Sequence, residues 1–414
     1  MSDVLLMLGT RPELTKTSPF ILEMMRQGID FSFVFTGQHY DSEMSSIFMK
    51  EFGLPKPDKV LGIGGVDEFT QFGVGMKRLA DAIKQYKPKL CIVNGDTNST
   101  LMSALASAKS GVPVAHIEAG CRSFDFTMPE EINRILTDRV CQLLFPSTQY
   151  CKENLIMEGF DRSKVFMLGN TAVDGFKMMV PRAKKSKIVG ELGLERGTYA
   201  LVTLHRKENV DNRKTLRELL TALSKLEGGV VFPMHPRTMN RIGKFGLGRF
   251  LASRNIIVTK PMGYLDFLSL LLDCKYVITD SGGVMEEAVM AGKRVIVPRK
   301  NIEWYEIIES GAGVLCKPEE KRLLGAVDGI GRAKGKVPAI YPDLKASRRI
   351  ANTVKRKLSE GFVLGSDFFK NGRRSMALDL EGDILAMFGK DGRMVDDAKK
   401  AVHKTVNMRV RCGD

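Results

Sequence analysis

Short apolar runs recur along this chain, and each is followed by a polar, glycine-containing loop and then by a helix-prone segment. In the amino-terminal part the runs cover residues 4–8, 31–35, 90–93 and 112–115. Strands that alternate with helices form a parallel, doubly wound sheet, because each helix returns the chain across one face of that sheet. We therefore predict an α/β fold whose ligand site lies beyond the carboxyl ends of the strands.

A second series of the same kind follows a basic stretch at 181–187, where the apolar periodicity fades. A chain of 414 residues is too long for one ordinary core, so we predict two Rossmann-like domains with a cleft between them. The remaining predicted strands cover 164–168, 199–204, 230–234, 256–258 and 276–279. The predicted division is a first domain at 1–180, a second at 181–344, a helix at 345–360 that crosses back to the first domain, and an extension of unassigned role at 361–414.

The chain carries a formal charge of +15, with 63 Lys and Arg against 48 Asp and Glu. Such a surplus suits an anionic partner, and a generally basic surface explains it equally well. No basic run interleaved with aromatic residues and no zinc-finger or RNA-recognition signature is present, so nucleic acid is not expected. A phosphorylated small molecule remains the partner that the charge favours.

Seven cysteines are scattered along the chain and never form a C-x-x-C pair. This pattern indicates neither a disulfide framework nor a structural zinc site, and it suits the reducing cytoplasm. The apolar run at 4–8 is too short for a signal peptide or a membrane span, and no later run reaches about 18 apolar residues. We expect a cytoplasmic protein without a membrane segment and without a bound metal.

Residues 116–138 gather ionisable side chains at a predicted junction between a strand and a helix. The helix is predicted to begin near Pro129, with Thr127 and Glu130 at the spacing of a capping box. An active-site wall is one interpretation, and a helix cap with a surface ion pair is the other. Three ionisable side chains are predicted in the loop before the helix: His116, Glu118 and Arg122.

Polar side chains that follow different parallel strands meet at one edge of the sheet. Each of them alone is an ordinary turn former or helix cap, and only their convergence indicates a site. In the second half, the turn Ser281-Gly282-Gly283 lies between a strand and a helix, where backbone N–H groups can approach a diphosphate. The side chains expected to converge in the first half are Arg11, His39, Asp96 and Glu118.

Nine short motifs occur along the chain: GTRPE at 9–13, TGQHYD at 36–41, NGDTNSTL at 94–101, HIEAGCRS at 116–123, PEEINR at 129–134, GNTAVD at 169–174, TLHRKEN at 203–209, HP at 235–236 and TDSGG followed by EE at 279–287. Through these motifs the chain resembles, from about residue 3 to 358, the non-hydrolysing UDP-N-acetylglucosamine 2-epimerases. The resemblance implies a fold like that of the B-type glycosyltransferases and a reaction that needs neither cofactor nor metal. In that reaction UDP is eliminated to give a 2-acetamidoglucal, and it adds back after reprotonation of C2 on the opposite face.

The resemblance also implies roles for individual residues. Asp96, Glu118 and Glu131 match the catalytic carboxylates of the family. His205, which we predict to be catalytic with them, matches a family histidine near the diphosphate. Lys16 falls near a family lysine close to the uridine site. The residues matched to binding of the UDP-sugar are Arg11, Lys16, His235, Ser281, Gly282, Gly283 and Glu287.

The chain departs from the family at 301–306, where a common T-E-R-P-E segment is replaced and its threonine and arginine are missing. This change leaves the sugar substituents open. The alternatives are a hydrolysing epimerase, an epimerase for a UDP-2,3-diacetamido uronic acid sugar, a glycosyltransferase of the same fold and a nucleotide-sugar sensor without activity. The resemblance further implies a homodimer.

Overall fold

The computed structural model describes residues 2–38, 49–333, 335–341 and 345–362. His39 and nearly all of the predicted extension at 361–414 lie outside this part of the chain. The described residues form two six-stranded sheets, and every strand pair is parallel. The predicted fold class, with two doubly wound parallel sheets, is confirmed.

The first sheet has the order β3-β2-β1-β4-β5-β6, and helices cover its faces. The strands are β1 (Val4–Leu8), β2 (Phe31–Phe35), β3 (Lys59–Val60), β4 (Leu90–Asn94), β5 (Val114–Ala119) and β6 (Leu143–Pro146). The helices are α1 (Arg11–Arg26), α2 (Glu68–Tyr86), α3 (Asn98–Lys109), α4 (Pro129–Val140), α5 (Gln149–Met157) and α6 (Thr171–Ala183).

The second sheet has the order β12-β11-β10-β7-β8-β9. Its strands are β7 (Tyr199–Thr203), β8 (Gly229–Pro233), β9 (Ile256–Thr259), β10 (Tyr276–Thr279), β11 (Val295–Pro298) and β12 (Gly313–Cys316). The helices that follow α6 are α7 (Ile188–Glu191), α8 (Lys207–Val210), α9 (Arg213–Ser224), α10 (Pro236–Phe245), α11 (Tyr264–Asp273), α12 (Gly282–Met290), α13 (Tyr305–Glu309), α14 (Glu320–Arg332) and α15 (Ala346–Glu360).

The central strands are buried along their whole length, as β1 and β4 show. Helices on both faces leave such strands no polar side, so their sequences are continuous apolar runs. Strand order reverses between β1 and β4 in the first sheet and between β7 and β10 in the second. Crevices for ligands open beyond the strand ends at these two places.

Helix α15 follows the second sheet in the sequence and packs on α1 of the first. The amide of Gln27, just after α1, donates to the side-chain oxygen of Asn352 at 2.8 Å, and the guanidinium of Arg349 donates to the carbonyl of Leu168. Within the described ranges, no helix is long and apolar enough to cross a membrane.

Three local predictions are wrong. The predicted strand at 164–168 is a short 3-10 turn at Arg162–Lys164 followed by one isolated bridge, because only Val165 pairs with β6. Thr127 does not cap α4, since Asp125 accepts from both its N–H and its hydroxyl, and Met128 occupies the cap position. The strand predicted to end at residue 115 continues as β5 to residue 119.

Candidate active site

The longer β5 places Glu118 inside a strand, where the sequence predicted a loop. The register with β6 shifts between Ile117 and Ala119, so Glu118 is the extra residue of a bulge. Its φ of 72° lies in the left-handed region, which is strained for a residue with a side chain. Bulges re-aim side chains, and this one directs the Glu118 carboxylate to Lys16.

Lys16, on α1, lies between two carboxylates. Its Nζ is 2.6 Å from Oε2 of Glu118 and 3.2 Å from Oε2 of Glu286, which α12 contributes from beside the second sheet. Burial by itself lowers the pKa of Lys16, but the charges of Glu118 and Glu286 raise it well above its usual value. Lys16 therefore keeps its charge and links the two halves of the molecule.

Glu286 is fully buried, and the amide of Asn170 donates to its Oε1 at 2.8 Å. Burial raises the pKa of Glu286 to about 8, although Lys16 opposes this shift. Of the two adjacent glutamates, Glu286 therefore contacts Lys16, while Glu287 has different neighbours.

Asp96 and Glu131 are joined through the guanidinium of Arg134. Nη2 of Arg134 lies 2.7 Å from Oδ2 of Asp96, and Nη1 lies 2.8 Å from Oε2 of Glu131. Glu131 is fully buried and also accepts from the N–H groups of Ser123 and Phe124 at 2.8 and 3.0 Å. The Asp96 side chain, by contrast, is 31% exposed. Asp96 is thus open to a ligand, whereas Glu131 holds Arg134 and the loop before α4.

Glu13, in the first turn of α1, forms hydrogen bonds to two loops of the site, the one that contains Arg11 and the one that contains Asp96. Its buried carboxylate accepts from the backbone N–H of Thr10 at 2.9 Å and from the hydroxyl of Thr100 at 3.0 Å. Thr10 precedes Arg11, and Thr100 lies in the first turn of α3 after Asp96. This bridge fixes the loop of Arg11 relative to the loop of Asp96.

Glu303, after β11, faces three guanidinium groups across the two sheets. Its carboxylate is 2.9 Å from Arg299, 3.4 Å from Arg134 and 3.5 Å from Arg206. Burial by itself raises the pKa of Glu303, but the three arginines hold it far below its usual range. Arg206 also contacts Glu130 at 3.1 Å. These ion pairs bring α4 of the first half against the loops after β7 and β11.

His205, at the end of β7, is held by Asp280 at the end of β10. Nδ1 of His205 lies 3.2 Å from Oδ1 of the buried Asp280, which also accepts from the backbone N–H of His205 and the amide of Asn209. Burial by itself raises the pKa of Asp280, but the contacts with His205 and Asn209 lower it. An ionised Asp280 fixes the ring orientation of His205.

His235 caps α10 and lies beside His205, with ring centroids 5.4 Å apart. Burial lowers the pKa of His235, and the charges of His205, Arg237 and Arg11 lower it further. Its Nδ1 accepts from the N–H of Arg237 at 3.2 Å. The neutral ring therefore carries its proton on Nε2, which can donate to a ligand.

Ser281 is the N-cap of α12, and its side chain makes no capping hydrogen bond. The first N–H groups of such a helix need an acceptor from outside the helix, and an anion suits them. Six residues after Ser281, Glu287 accepts from the hydroxyl of Tyr264 at 2.8 Å, and burial raises its pKa to about 7. The turn and Glu287 thus lie on the same helix at the second crevice.

His116 and Arg122 support the site from behind. The ring nitrogens of His116 lie 2.7 Å from Oδ1 of Asp138 and 2.8 Å from the carbonyl of Gly95, and Arg122 lies 2.8 Å from Oδ2 of Asp138. All three side chains are fully buried. They tie the loop of Asp96 to β5 and form no surface ion pair, since all of them are buried.

The structure brings the predicted site residues into two groups. Asp96, Glu118, Glu131 and Lys16 lie in the first crevice, and Lys16 contacts a carboxylate there. His205, His235, Glu287 and the turn 281–283 lie in the second. Arg11 is exposed at the start of α1, and His39 lies outside the described residues. The roles assigned to these residues stay predictions.

Sequence reasoning assigned no site role to four of the residues that build this cleft. Asp280 belongs to the TDSGG motif and Arg206 to TLHRKEN, so both motifs carried a usable signal. Glu286 is the first glutamate of the EE pair that follows TDSGG, so it also carried a usable signal. Glu303 had none, because its partners Arg134 and Arg206 are distant in the sequence and only the fold brings them together.

Comparison with known proteins agrees with this geometry. The sequence model of the family described as UDP-N-acetylglucosamine 2-epimerase matches residues 23–355. The UDP-N-acetylglucosamine 2-epimerase of Methanocaldococcus jannaschii is 38% identical over 332 residues, which cover 78% of this chain and 90% of that protein. The UDP-2,3-diacetamido-2,3-dideoxy-D-glucuronate 2-epimerase of Pseudomonas aeruginosa is 38% identical over 356 residues, covering 84% and 98%.

A solved structure of the M. jannaschii UDP-GlcNAc 2-epimerase in complex with UDP-GlcNAc and UDP superposes with a TM-score of 0.81. It is 36% identical and covers 86% of this chain and 99% of its own. The match of motifs, family model and fold over most of the chain confirms the resemblance predicted from sequence. The chain belongs to the UDP-N-acetylglucosamine 2-epimerase family.

Proposed function

We propose that this protein interconverts UDP-N-acetylglucosamine and UDP-N-acetylmannosamine by inversion at C2. The observation that carries the proposal is the meeting of two kinds of group in one cleft. The carboxylate of Asp96 follows β4 and that of Glu118 lies near the end of β5, while the open start of α12 follows a strand of the second sheet. The contacts of Lys16 with Glu118 and Glu286 join the two sides.

The reaction needs both kinds of group. A carboxylate takes the C2 proton while the bond from C1 to the UDP oxygen breaks, which gives 2-acetamidoglucal and UDP. The UDP oxygen then bonds to C1 again, and a proton is delivered to the opposite face of C2, so that no atom is gained or lost. Because the C2 proton is not acidic, the base must be positioned and the departing diphosphate stabilised.

Asp96 and Glu118 are the two groups that we assign to proton transfer. They reach the cleft from the neighbouring strands β4 and β5, and we propose that one carboxylate serves each face of C2. Glu131 is predicted to be catalytic, and its buried contacts support a positioning role through Arg134. For diphosphate binding we propose Arg11, His205, His235, Ser281, Gly282 and Gly283, and for the ribose Glu287.

A second sugar is supported by one specific comparison. The P. aeruginosa relative that acts, by its name, on UDP-2,3-diacetamido-2,3-dideoxy-D-glucuronate is as identical to this chain as the M. jannaschii relative. The same elimination chemistry applies to that sugar, because C2 and the UDP bond are unchanged. The substituents at C3 and C6 therefore separate the two candidates.

The test is incubation with each nucleotide sugar in deuterium oxide, followed by NMR at C2. For UDP-N-acetylglucosamine we expect deuterium at C2 and the appearance of UDP-N-acetylmannosamine. Exchange with the uronic acid sugar alone would select the second candidate. Release of free sugar and UDP would instead select the hydrolysing reaction, and exchange with neither sugar would contradict the proposal.

We also propose that the protein works in the cytoplasm as a homodimer. Ile132 and Leu136 lie one turn apart on α4, and each is 43% exposed. An apolar pair on one helix face favours contact with a second copy. Sedimentation of the wild type and of the Ile132→Asp, Leu136→Asp double variant tests this. We expect the wild type to sediment as a dimer and the double variant as a monomer. A monomeric wild type would contradict the proposed homodimer.

A further inference from the structure

Trp304 is the only tryptophan of the chain and lies between the two halves of the site. It occupies the N-cap position of α13 and is 3% exposed. The Lys16 ammonium is 5.5 Å from the centroid of its ring. On the other side, a Cβ added to Gly282 would lie 3.5 Å from the indole Nε1. The ring thus extends from the carboxylate cluster to the turn that starts α12.

No residue in the described ranges accepts a hydrogen bond from the indole N–H of Trp304, and this nitrogen is not enclosed by protein atoms. A tryptophan whose ring is buried normally finds a partner for this donor. Here it lies beside Gly282, where the first N–H groups of α12 also need an acceptor from outside the helix. Several donors that converge on one place suit an acceptor with several oxygens.

We propose that the indole N–H of Trp304 donates to the diphosphate of the UDP-sugar and that its ring borders the sugar beside Glu118. This inference rests on the proposed function and adds a binding residue to it. As the bond between C1 and the UDP oxygen breaks, negative charge grows on the diphosphate. A donor aimed at that charge stabilises the transition state more than the ground state.

The neutrality of the indole is part of this role. Glu118 and Glu286 are already paired with Lys16. A guanidinium at position 304 would repel the Lys16 ammonium and compete for the same carboxylates. The indole supplies a hydrogen-bond donor and a flat apolar wall without adding a charge, so it leaves these ion pairs intact.

The single tryptophan makes the inference directly measurable. Under tryptophan-selective excitation, UDP titrated into the wild-type protein is expected to change the emission saturably, with the Kd that calorimetry gives. Trp304→Phe keeps a ring and removes the donor. It is expected to weaken UDP binding roughly 2- to 10-fold, which is the effect of one neutral hydrogen bond.

Tyr199→Phe is the matched control. It also removes one buried donor, the hydroxyl that bonds to the Leu270 carbonyl at 2.7 Å, but this hydroxyl lies on the core side of β7 rather than in the cleft. We expect it to lower the thermal midpoint and to leave the Kd for UDP unchanged. A similar loss of affinity in both variants would show a general structural effect and overturn the inference.

The outcomes separate the two proposals. If calorimetry shows UDP binding while the wild-type emission stays constant, or while Trp304→Phe binds as tightly as wild type, the role of Trp304 is wrong and the proposed function stands. If wild-type protein binds no UDP by either method, the proposed function fails, and this inference fails with it. The wild-type emission test needs no variant to fold.

Discussion

Lys16 Nζ lies 2.6 Å from Oε2 of Glu118, and the same ammonium contacts Glu286 from the other half of the molecule. One largely buried cation therefore contacts both Glu118 and Glu286, which would otherwise lie in the protein without a counter-charge. Removal of one partner from such a group leaves charge without compensation in a medium where water cannot screen it.

We expect Lys16→Met to lower the unfolding free energy by about 3–5 kcal/mol, the cost of breaking a buried ion pair. Chemical denaturation measures this loss. Adding Glu118→Gln to Lys16→Met removes the carboxylate that the first change leaves unpaired, so the double variant should recover part of the stability. If the two changes are simply additive, the contact has no energetic importance.

Asp96→Asn should reduce kcat by about 10²- to 10⁴-fold, because it removes a proton-transfer group from the cleft. Deuterium incorporation at C2, followed by NMR, measures the effect. The matched control is Asp81→Asn, which changes an exposed carboxylate paired with Lys77 on the same half of the protein. The control should keep wild-type exchange, and equal rates for both variants would contradict the role of Asp96.

Glu118 provides a test of backbone strain. Glycine normally destabilises a strand relative to alanine, but at a φ of 72° it avoids the strain that any Cβ introduces. We therefore expect Glu118→Gly to be more stable than Glu118→Ala by about 1 kcal/mol, with both variants inactive. Urea denaturation measures the unfolding free energy of each variant. A more stable Glu118→Ala variant, as expected in an ordinary strand, would show that the backbone at the bulge is not strained.

Glu303→Gln removes the charge that three arginines share. We expect a loss of about 3–5 kcal/mol in unfolding free energy, because Arg134, Arg206 and Arg299 then repel one another. Glu309→Gln, at an exposed position six residues later, is the control and should change the thermal midpoint little. Equal midpoints for the two variants would mean that the three contacts add nothing to stability.

Glu287 makes the stability depend on pH. Burial raises its pKa from 4.5 to about 7 in the folded protein. Between these values the folded state keeps a proton that the unfolded state has lost, so the unfolding free energy falls as pH rises from about 4.5 to 7. Glu287→Gln removes this contribution. Denaturation at several pH values should give a flatter profile for the variant than for wild type.

The sheets could be predicted from sequence because strands covered on both faces are continuous apolar runs. The bulge at Glu118 could not, since one inserted residue leaves no mark on an apolar pattern. The capping prediction for Thr127 failed because Asp125, two residues away, offered a closer acceptor. The run at 164–168 has strand-like residues, but a strand also needs a partner, and pairing is a property of the fold.

The candidate site also has residues that the sequence could predict and contacts that it could not. The motifs pointed to Asp96, Glu118 and His205, since each lies where a strand ends and a loop begins. They gave no sign of the Glu303 contacts with Arg134 and Arg206, which join segments from both halves. An ion pair between segments far apart in sequence depends on domain packing, which local pattern does not contain.

Helix α15 ends the described chain on the first half, after the chain has already passed through the second. The polypeptide thus crosses between the two sheets twice, once beyond α6 and once before α15. Two tethers leave a pair of rigid bodies far less freedom than one does. The two connecting segments define a hinge axis, and we expect the cleft to open and close by rotation about that axis. Lys16 and Glu286 would then separate when the cleft opens and form the same contact again each time it closes.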